Sequence, residues 1–158
     1  YPDDVFSCNK VLVFNLGFDS KGNDKLNSWV YVPEKEFIFY RIGYYDNIMN
    51  TDRMSLYVEI GFSQKQEMLK EGLYLDRILS DLRKMGIITT QKLVDYEAVL
   101  MNPAYVHINK KSVETVEEYK EILEKNDIYS IGRYGSWTYC SIEDNILEAR
   151  ELAEKLNK

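Results

Sequence analysis

Hydrophobic and polar positions along this chain change period several times, and each change marks an element. Residues 10–18, KVLVFNLGF, are apolar on both faces and predict a central strand. Residues 19–27 form a polar loop around Gly22. Residues 28–32 and 36–45 predict two further strands, joined through Pro33, Glu34 and Lys35 as a hairpin. Residues 46–53 read as a loop. Residues 54–62 read as a fourth strand, with Leu56, Val58 and Ile60 on one face. Ser63 and Gln66 have capping-box spacing for a leading turn. From about Glu71 the period becomes helical: Leu75, Ile78, Leu79, Leu82 and Met85 make one stripe suited to packing on a sheet, and Gly86 ends it. Strand character returns over residues 93–100 and again over 105–108, after Asn102-Pro103. Residues 112–125 predict a second helix with Val116, Tyr119 and Leu123 inward, broken by Asn126-Asp127.

The last stretch, residues 128–156, predicts a strand, a glycine turn and a helix. Ile128, Tyr129 and Ile131 are the β-favouring run. Gly132 and Gly135 bracket the turn, where a missing Cβ permits positive φ or close approach of the backbone to a ligand. Ser141 is a good N-cap, Glu143 and Asp144 put acid in the first turn, and Lys155 and Lys158 put base in the last. Ile142, Ile146, Ala149, Ala153 and Leu156 share one helical face. A helix start of this kind leaves backbone N–H donors for an anion or an electron-rich ligand edge, although an ordinary strand–turn–helix fits the spacing equally.

Strands in succession followed by segregated helices predict an α+β fold with a mostly antiparallel sheet. The sheet with one helix would occupy residues 1–108, and residues 109–158 would hold the second helix and the C-terminal strand–turn–helix. Composition narrows function mainly by exclusion. At 158 residues, 45% hydrophobic and 29% charged, the chain is long enough for one globular domain. A net charge of −6 without a Lys/Arg cluster argues against nucleic acid. No apolar run approaches the roughly 20 residues of a membrane span, and no signal-peptide pattern opens the chain at Tyr1. Two cysteines, Cys8 and Cys140, fit a reducing, cytoplasmic compartment, and with His107 alone there is no metal-ligand set. No Ser/His/Asp or Cys/His constellation is present. Thirteen tyrosines suit either an aromatic-lined sugar or nucleotide pocket or a β-rich core. Arg41, within FIFYRIGYY, needs a carboxylate or a phosphate; Glu34 and Glu59 are the carboxylates in question.

The segment GRYGSWTYCSIEDNILEA resembles the C-terminal cofactor segment of FAD-dependent proteins of the amine oxidase and protoporphyrinogen oxidase superfamily. Within it, the resemblance is to UDP-galactopyranose mutase-like proteins, in which a Gly-Arg-x-Gly-x-aromatic-x-Tyr run precedes a flavin-facing helix. SWVYVPEKEFIFYRIGYYDN is similar to that family's Trp-x-Tyr-x-Pro to Phe-Tyr-Arg segment, and NPAYVHINKKSVETVEEYKEIL to its tyrosine-containing segment before the last helix pair. The resemblance implies a cofactor-binding set of Gly132, Arg133, Ser141, Ile142 and Glu143, with backbone donors around Ser141 facing the flavin pyrimidine ring. It implies a substrate-binding set of Trp29, Tyr31, Arg41, Tyr105 and Tyr139, with Tyr139 near a nucleotide-sugar diphosphate; it assigns no catalytic residue. The implied whole protein is an FAD-dependent mutase in lipopolysaccharide or cell-surface polysaccharide synthesis, where the cofactor carries the chemistry and the protein supplies position and electrostatics. An amine oxidase- or desaturase-like flavoprotein and a non-catalytic binding domain are the alternatives. Where the mutases prefer Asp-Met, this chain has Ser141-Ile142.

The family's dinucleotide-binding GxGxxG unit is missing: glycines at 17, 22, 43, 61, 72, 86, 132 and 135 cannot supply it. The expectation is therefore a substrate-domain and C-terminal portion whose partners are a nucleotide sugar and a separate FAD-binding domain. The 158-residue chain purified alone should show no flavin absorbance; stoichiometric FAD retained through gel filtration would contradict that expectation.

Overall fold

Strand β1, Ser7–Phe18, is the longest element of the sheet and pairs along both of its halves. In the computed structural model residues 5–157 are described, so Tyr1 and Lys158, the latter expected from the sequence in the last helical turn, lie outside them. The other elements are β2 (Trp29–Tyr31), β3 (Arg41–Tyr44), α1 (Tyr45–Met49), β4 (Ser55–Ser63), α2 (Glu71–Lys84), β5 (Leu93–Met101), β6 (Val106–His107), α3 (Lys110–Glu124), α4 (Gly132–Gly135) and α5 (Ile142–Leu156). The sheet order is β2-β3-β4-β1-β5, with β6 also on β1; the β1–β5, β1–β6, β2–β3 and β3–β4 pairs are antiparallel. The fold is α+β with a mostly antiparallel six-stranded sheet. The chain divides into two compact units, Lys10–Asn102 and a unit made of Tyr1–Asn9 with Pro103–Lys158.

The Lys10–Asn102 unit holds the hydrophobic core. Alternate residues Leu12, Phe14, Leu16 and Phe18 of β1 meet Ile42, Leu56, Val58 and Ile60 of the neighbouring strands, and Tyr74, Ile78 and Leu82 of α2. The expected α2 stripe is present, but its most buried positions also include Tyr74 and Asp81. Asp81 is fully buried. One of its oxygens accepts the Ile38 N–H at 3.0 Å and Arg77 Nε at 2.9 Å, while Arg77 also donates to the Glu36 carbonyl at 2.6 Å. This explains one departure from the sequence reading. Residues 36–40 are a loop and not strand, because α2 takes the Ile38 N–H that a ladder would have used.

Other departures are local. Residues 45–49 form a helical turn ended by Asn50 in the left-handed region at φ 51°, where the pattern predicted a loop. Gln66 N–H closes a turn on the Ser63 carbonyl, with no helix there. Helix α3 starts two residues early because Asn109 and Ser112 form a capping box. Residues 128–131 are not a strand among the described residues: the run has β-prone side chains but no partner, and Ile128 N–H returns to the Leu123 carbonyl. Strand β5 is an edge of the sheet with Val94, Tyr96, Val99, Leu100 and Met101 exposed; the Tyr96 N–H is met by the Asp95 carboxylate at 2.9 Å.

Removing the Asp81 carboxylate takes the acceptor from the half-buried Ile38 N–H and from the half-exposed Arg77, so Asp81→Ala should cost about 1–3 kcal/mol in urea unfolding. A loss below about 1 kcal/mol would contradict the clamp. Tyr44 gives a second check. Burial, with the Asp24 and Asp46 carboxylates adding, pushes its phenol up from 10.0 to about 12. A raised acid favours the neutral folded form, so this contribution to stability is complete below about pH 10 and is lost as pH rises towards 12. Absorbance titration of the phenolates should show Tyr44 ionising after the bulk of the tyrosines, and Tyr44→Phe should remove that late step.

Candidate functional site

Tyr105 is placed by a short ladder at the end of the Tyr1–Asn9 segment. Asn9 N–H donates to the Tyr105 carbonyl at 3.0 Å, Ala104 N–H donates to the Asn9 carbonyl at 3.0 Å, and Tyr105 N–H donates to Asn9 Oδ1 at 2.7 Å. Beyond α3 the chain turns through Gly132, at φ +79°, which satisfies the sequence requirement for a glycine there. The single helical turn α4 that follows carries Arg133. Its Nη2 donates to the Cys140 carbonyl at 2.6 Å, and its guanidinium carbon lies 5.7 Å from the Tyr105 ring centroid and 5.2 Å from that of Tyr139. The two rings stack at 6.5 Å with an interplanar angle of 23°. Arg133 thus forms cation–π contacts with two tyrosines and has no carboxylate partner among the described residues.

The same turn is supported from outside. Tyr134 donates its hydroxyl to the Pro103 carbonyl at 3.0 Å and lies 3.2 Å from that of Ala104. Trp137 sits in the left-handed region at φ 46°, held by an indole N–H to the His107 carbonyl at 3.3 Å and an edge contact with Phe6 at 5.0 Å. These aromatics, with Val116, Leu123 and Lys120 of α3, line a groove of about 390 Å³.

Helix α5 begins as the sequence predicts. Ser141 Oγ accepts Asp144 N–H at 3.1 Å, and Asp144 Oδ2 accepts the Ser141 N–H at 2.7 Å and its hydroxyl at 2.8 Å. The capping box therefore uses both Ser141 donors. The N–H groups of Ile142 and Glu143 have no acceptor among the described residues and are the open donors of this helix start. The apolar face of α5 is not packed: Ile142 is 82% and Ile146 63% exposed, and the half-buried positions are Asn145, Glu148 and Leu152. At its other end Lys155 donates to Glu124 at 3.0 Å.

Of the ten candidate residues, Gly132, Arg133, Tyr105 and Tyr139 come together in one cluster, joined through Cys140 to Ser141, Ile142 and Glu143. Trp29, Tyr31 and Arg41 belong to the other unit. Trp29 and Tyr31 share the exposed face of β2, as alternation requires. Arg41 stands directly across from Glu59 in the β3–β4 ladder and pairs with it, and the Tyr40 hydroxyl also donates to the buried Glu59 carboxylate. That pair gives the guanidinium a counter-charge within the sheet. Sequence reasoning passed over Glu148 and Lys120, which bind the Arg133 turn. Their only signal was the 4-3-4 spacing of Ser141, Asn145, Glu148 and Leu152 on a face of α5 other than the apolar one. Among the described residues no group of His, Cys, Asp and Glu could hold a metal ion, and no helix is long and apolar enough to cross a membrane.

Much of this fold recurs within a larger enzyme of known structure. That enzyme is a reduced UDP-galactopyranose mutase: 24% of residues are identical, the TM-score is 0.72, and the match covers 86% of this chain and 30% of the mutase chain. The chain therefore has a mutase-like fold and spans under a third of the mutase it matches. No family model and no curated protein matches it.

The capping box has a pH signature. Donation from the Ser141 backbone first, and from its hydroxyl second, holds the Asp144 carboxyl below its usual value. A depressed acid supports the folded state above the unfolded pKa of about 3.9, and that support is lost as pH falls through the lower folded value. Exchange protection of the Ser141 and Asp144 amides, taken relative to the intrinsic rate at each pH, should fall below about pH 4, and Asp144→Asn should remove that fall. Protection that stays constant into acid in the unsubstituted chain would contradict it.

Proposed function

We propose that this chain is the substrate-binding and flavin-facing portion of an FAD-dependent enzyme of the UDP-galactopyranose mutase kind, with a nucleotide-sugar diphosphate as its substrate and cell-surface polysaccharide synthesis as its setting. One observation carries the reading: Arg133 is held against Tyr105 and Tyr139 with no carboxylate partner among the described residues. A guanidinium in that state suits a diphosphate, which would accept its remaining N–H donors. The solved mutase fold supports the reading, as does the Gly-Arg-x-Gly-x-aromatic-x-Tyr run in this sequence.

FAD would supply the electron-rich centre that reacts with the sugar. The residues present fit its pyrimidine edge through backbone only: Ile142 and Glu143 N–H are open, whereas the Ser141 donors are used by Asp144. Gly132 and Arg133 would hold the turn and its positive charge beside that edge. The exposed apolar face of α5 and the unpaired, β-prone residues 128–131 suit a cover of protein, the separate FAD-binding domain. Trp29 and Tyr31 offer stacking faces for a sugar or base, while Arg41 serves the sheet through Glu59.

Titration of the chain with UDP, followed by 15N NMR, tests the substrate reading. Shifts should centre on Arg133, Tyr105 and Tyr139, and Arg133→Ala should weaken binding by about 10–100-fold, the scale of one charge-assisted contact. An absence of UDP binding, or equal affinity in the variant, would overturn it. The cofactor edge is tested in the whole flavoprotein by Ile142→Pro, which removes one donor at a helix position that tolerates proline. The flavin reduction potential should become more negative with FAD still bound; an unchanged potential would remove this donor from the reading.

A further inference from the structure

We propose that Glu148, seconded by Lys120, is a positioning residue: it fixes the backbone turn that aims Arg133 and does so without touching Arg133 itself. The inference rests on the reading of Arg133 as the anion contact. Glu148 projects from α5 and its carboxylate spans α4. Oε2 accepts the Gly132 N–H at 2.7 Å, and Oε1 accepts the Ser136 hydroxyl at 3.2 Å. Lys120, from α3, donates to Ser136 Oγ at 2.7 Å and stands 3.8 Å from Glu148 Oε1. Arg133 lies between the two clamped ends.

Packing does not hold this turn, because none of the residues of α4 is buried. Its geometry is also unusual. Gly132 has φ +79°, and a Cβ there would stand 3.0 Å from Asn145 Oδ1. At Gly135 a Cβ would come within 2.8 Å of Ser130 Oγ, which already donates to the Gly135 carbonyl at 3.0 Å. Polar contacts from three neighbouring segments therefore define where Arg133 begins. Among them the Gly132 bond is charge-assisted and fixes the residue directly before the arginine. The Lys120–Glu148 ion pair, about one-third exposed on both sides, is too solvated to hold the turn by attraction alone. Lys120 instead orients the carboxylate through Ser136. A displacement of Arg133 by about an ångström would separate it from both rings and from a bound diphosphate.

The test needs no ligand for its first part. In the unsubstituted chain the Tyr105 and Tyr139 rings should shift the Arg133 Hδ resonances upfield. Glu148→Ala should lose at least half of that displacement, and Glu148→Gln, which keeps an acceptor for Gly132 N–H, should retain most of it. If Glu148→Ala unfolds α3 to α5, the Gln variant alone decides: retained Arg133 shifts support the clamp, and lost shifts overturn it. In the second part UDP is titrated into each variant. Glu148→Ala should weaken binding about tenfold, and no further than Arg133→Ala alone when the two are combined. Unchanged Arg133 shifts in Glu148→Ala, or losses that add in the double variant, would overturn the positioning role. Failure of Arg133→Ala to affect UDP would overturn the substrate reading instead, leaving the ring-shift result to judge Glu148.

Discussion

A carboxylate with no access to water, Asp81, governs how the larger unit is assembled. Burying an acid is costly unless its oxygens are met. Here one oxygen accepts from a loop amide and a guanidinium, and Lys84 stands 3.8 Å from the other. The loop after β2 must therefore approach α2 before β3 can start at Arg41. That fixes where Phe39 enters the core and which residue of β3 faces Glu59. Cross-strand pairing then aligns Arg41 with Glu59, so one buried acid on the helix and one on the sheet together set the register of the β2–β3–β4 half.

The smaller unit is organised on a different principle. Of its described residues only Ala104, Ser112 and Cys140 are buried. Directional contacts take the place of apolar packing: two capping boxes, the Asn9 ladder to Tyr105, and the carboxylate across the Gly132 turn. Such contacts define geometry well but contribute little net stability each. A site that must present one guanidinium to a charged ligand gains from this arrangement, since the arginine stays at the surface while its backbone is constrained.

Much of this was legible in the sequence because it depends on local chemistry. A run apolar on both faces located β1, alternation located β4, strand character located β5, period 3.6 located α2 and α3, and Ser141 with Asp144 announced the start of α5. Gly132 was recognisable as a positive-φ position from its place in the motif. The misses share a cause. Residues 36–40 and 128–131 have strand-like side chains, yet a strand also needs a neighbour, and neighbours are not written locally. In the first case Asp81 takes the amide. Helix α1 is too short to show a period, and its one signal was Asn50 at the C-terminal cap. Arg41 was identified as needing an anion, and the ladder supplies Glu59. The Glu148–Gly132 bond joins residues sixteen apart through a turn whose shape no spacing rule describes.

The edge strand β5 has a consequence for handling the protein. It is nine residues long, borders solvent along its whole length and carries valine, leucine, methionine and tyrosine outward. Such a border invites another chain to add a strand, the first step towards fibrous aggregates. Asp95 and Glu97 interrupt it, and Asp95 also occupies the Tyr96 amide that an incoming strand would seek. These two acids act as gatekeepers. Colloidal solubility of the chain is thus tied to a pair of side chains outside the arginine–tyrosine cluster, and replacing them with apolar residues would remove that protection.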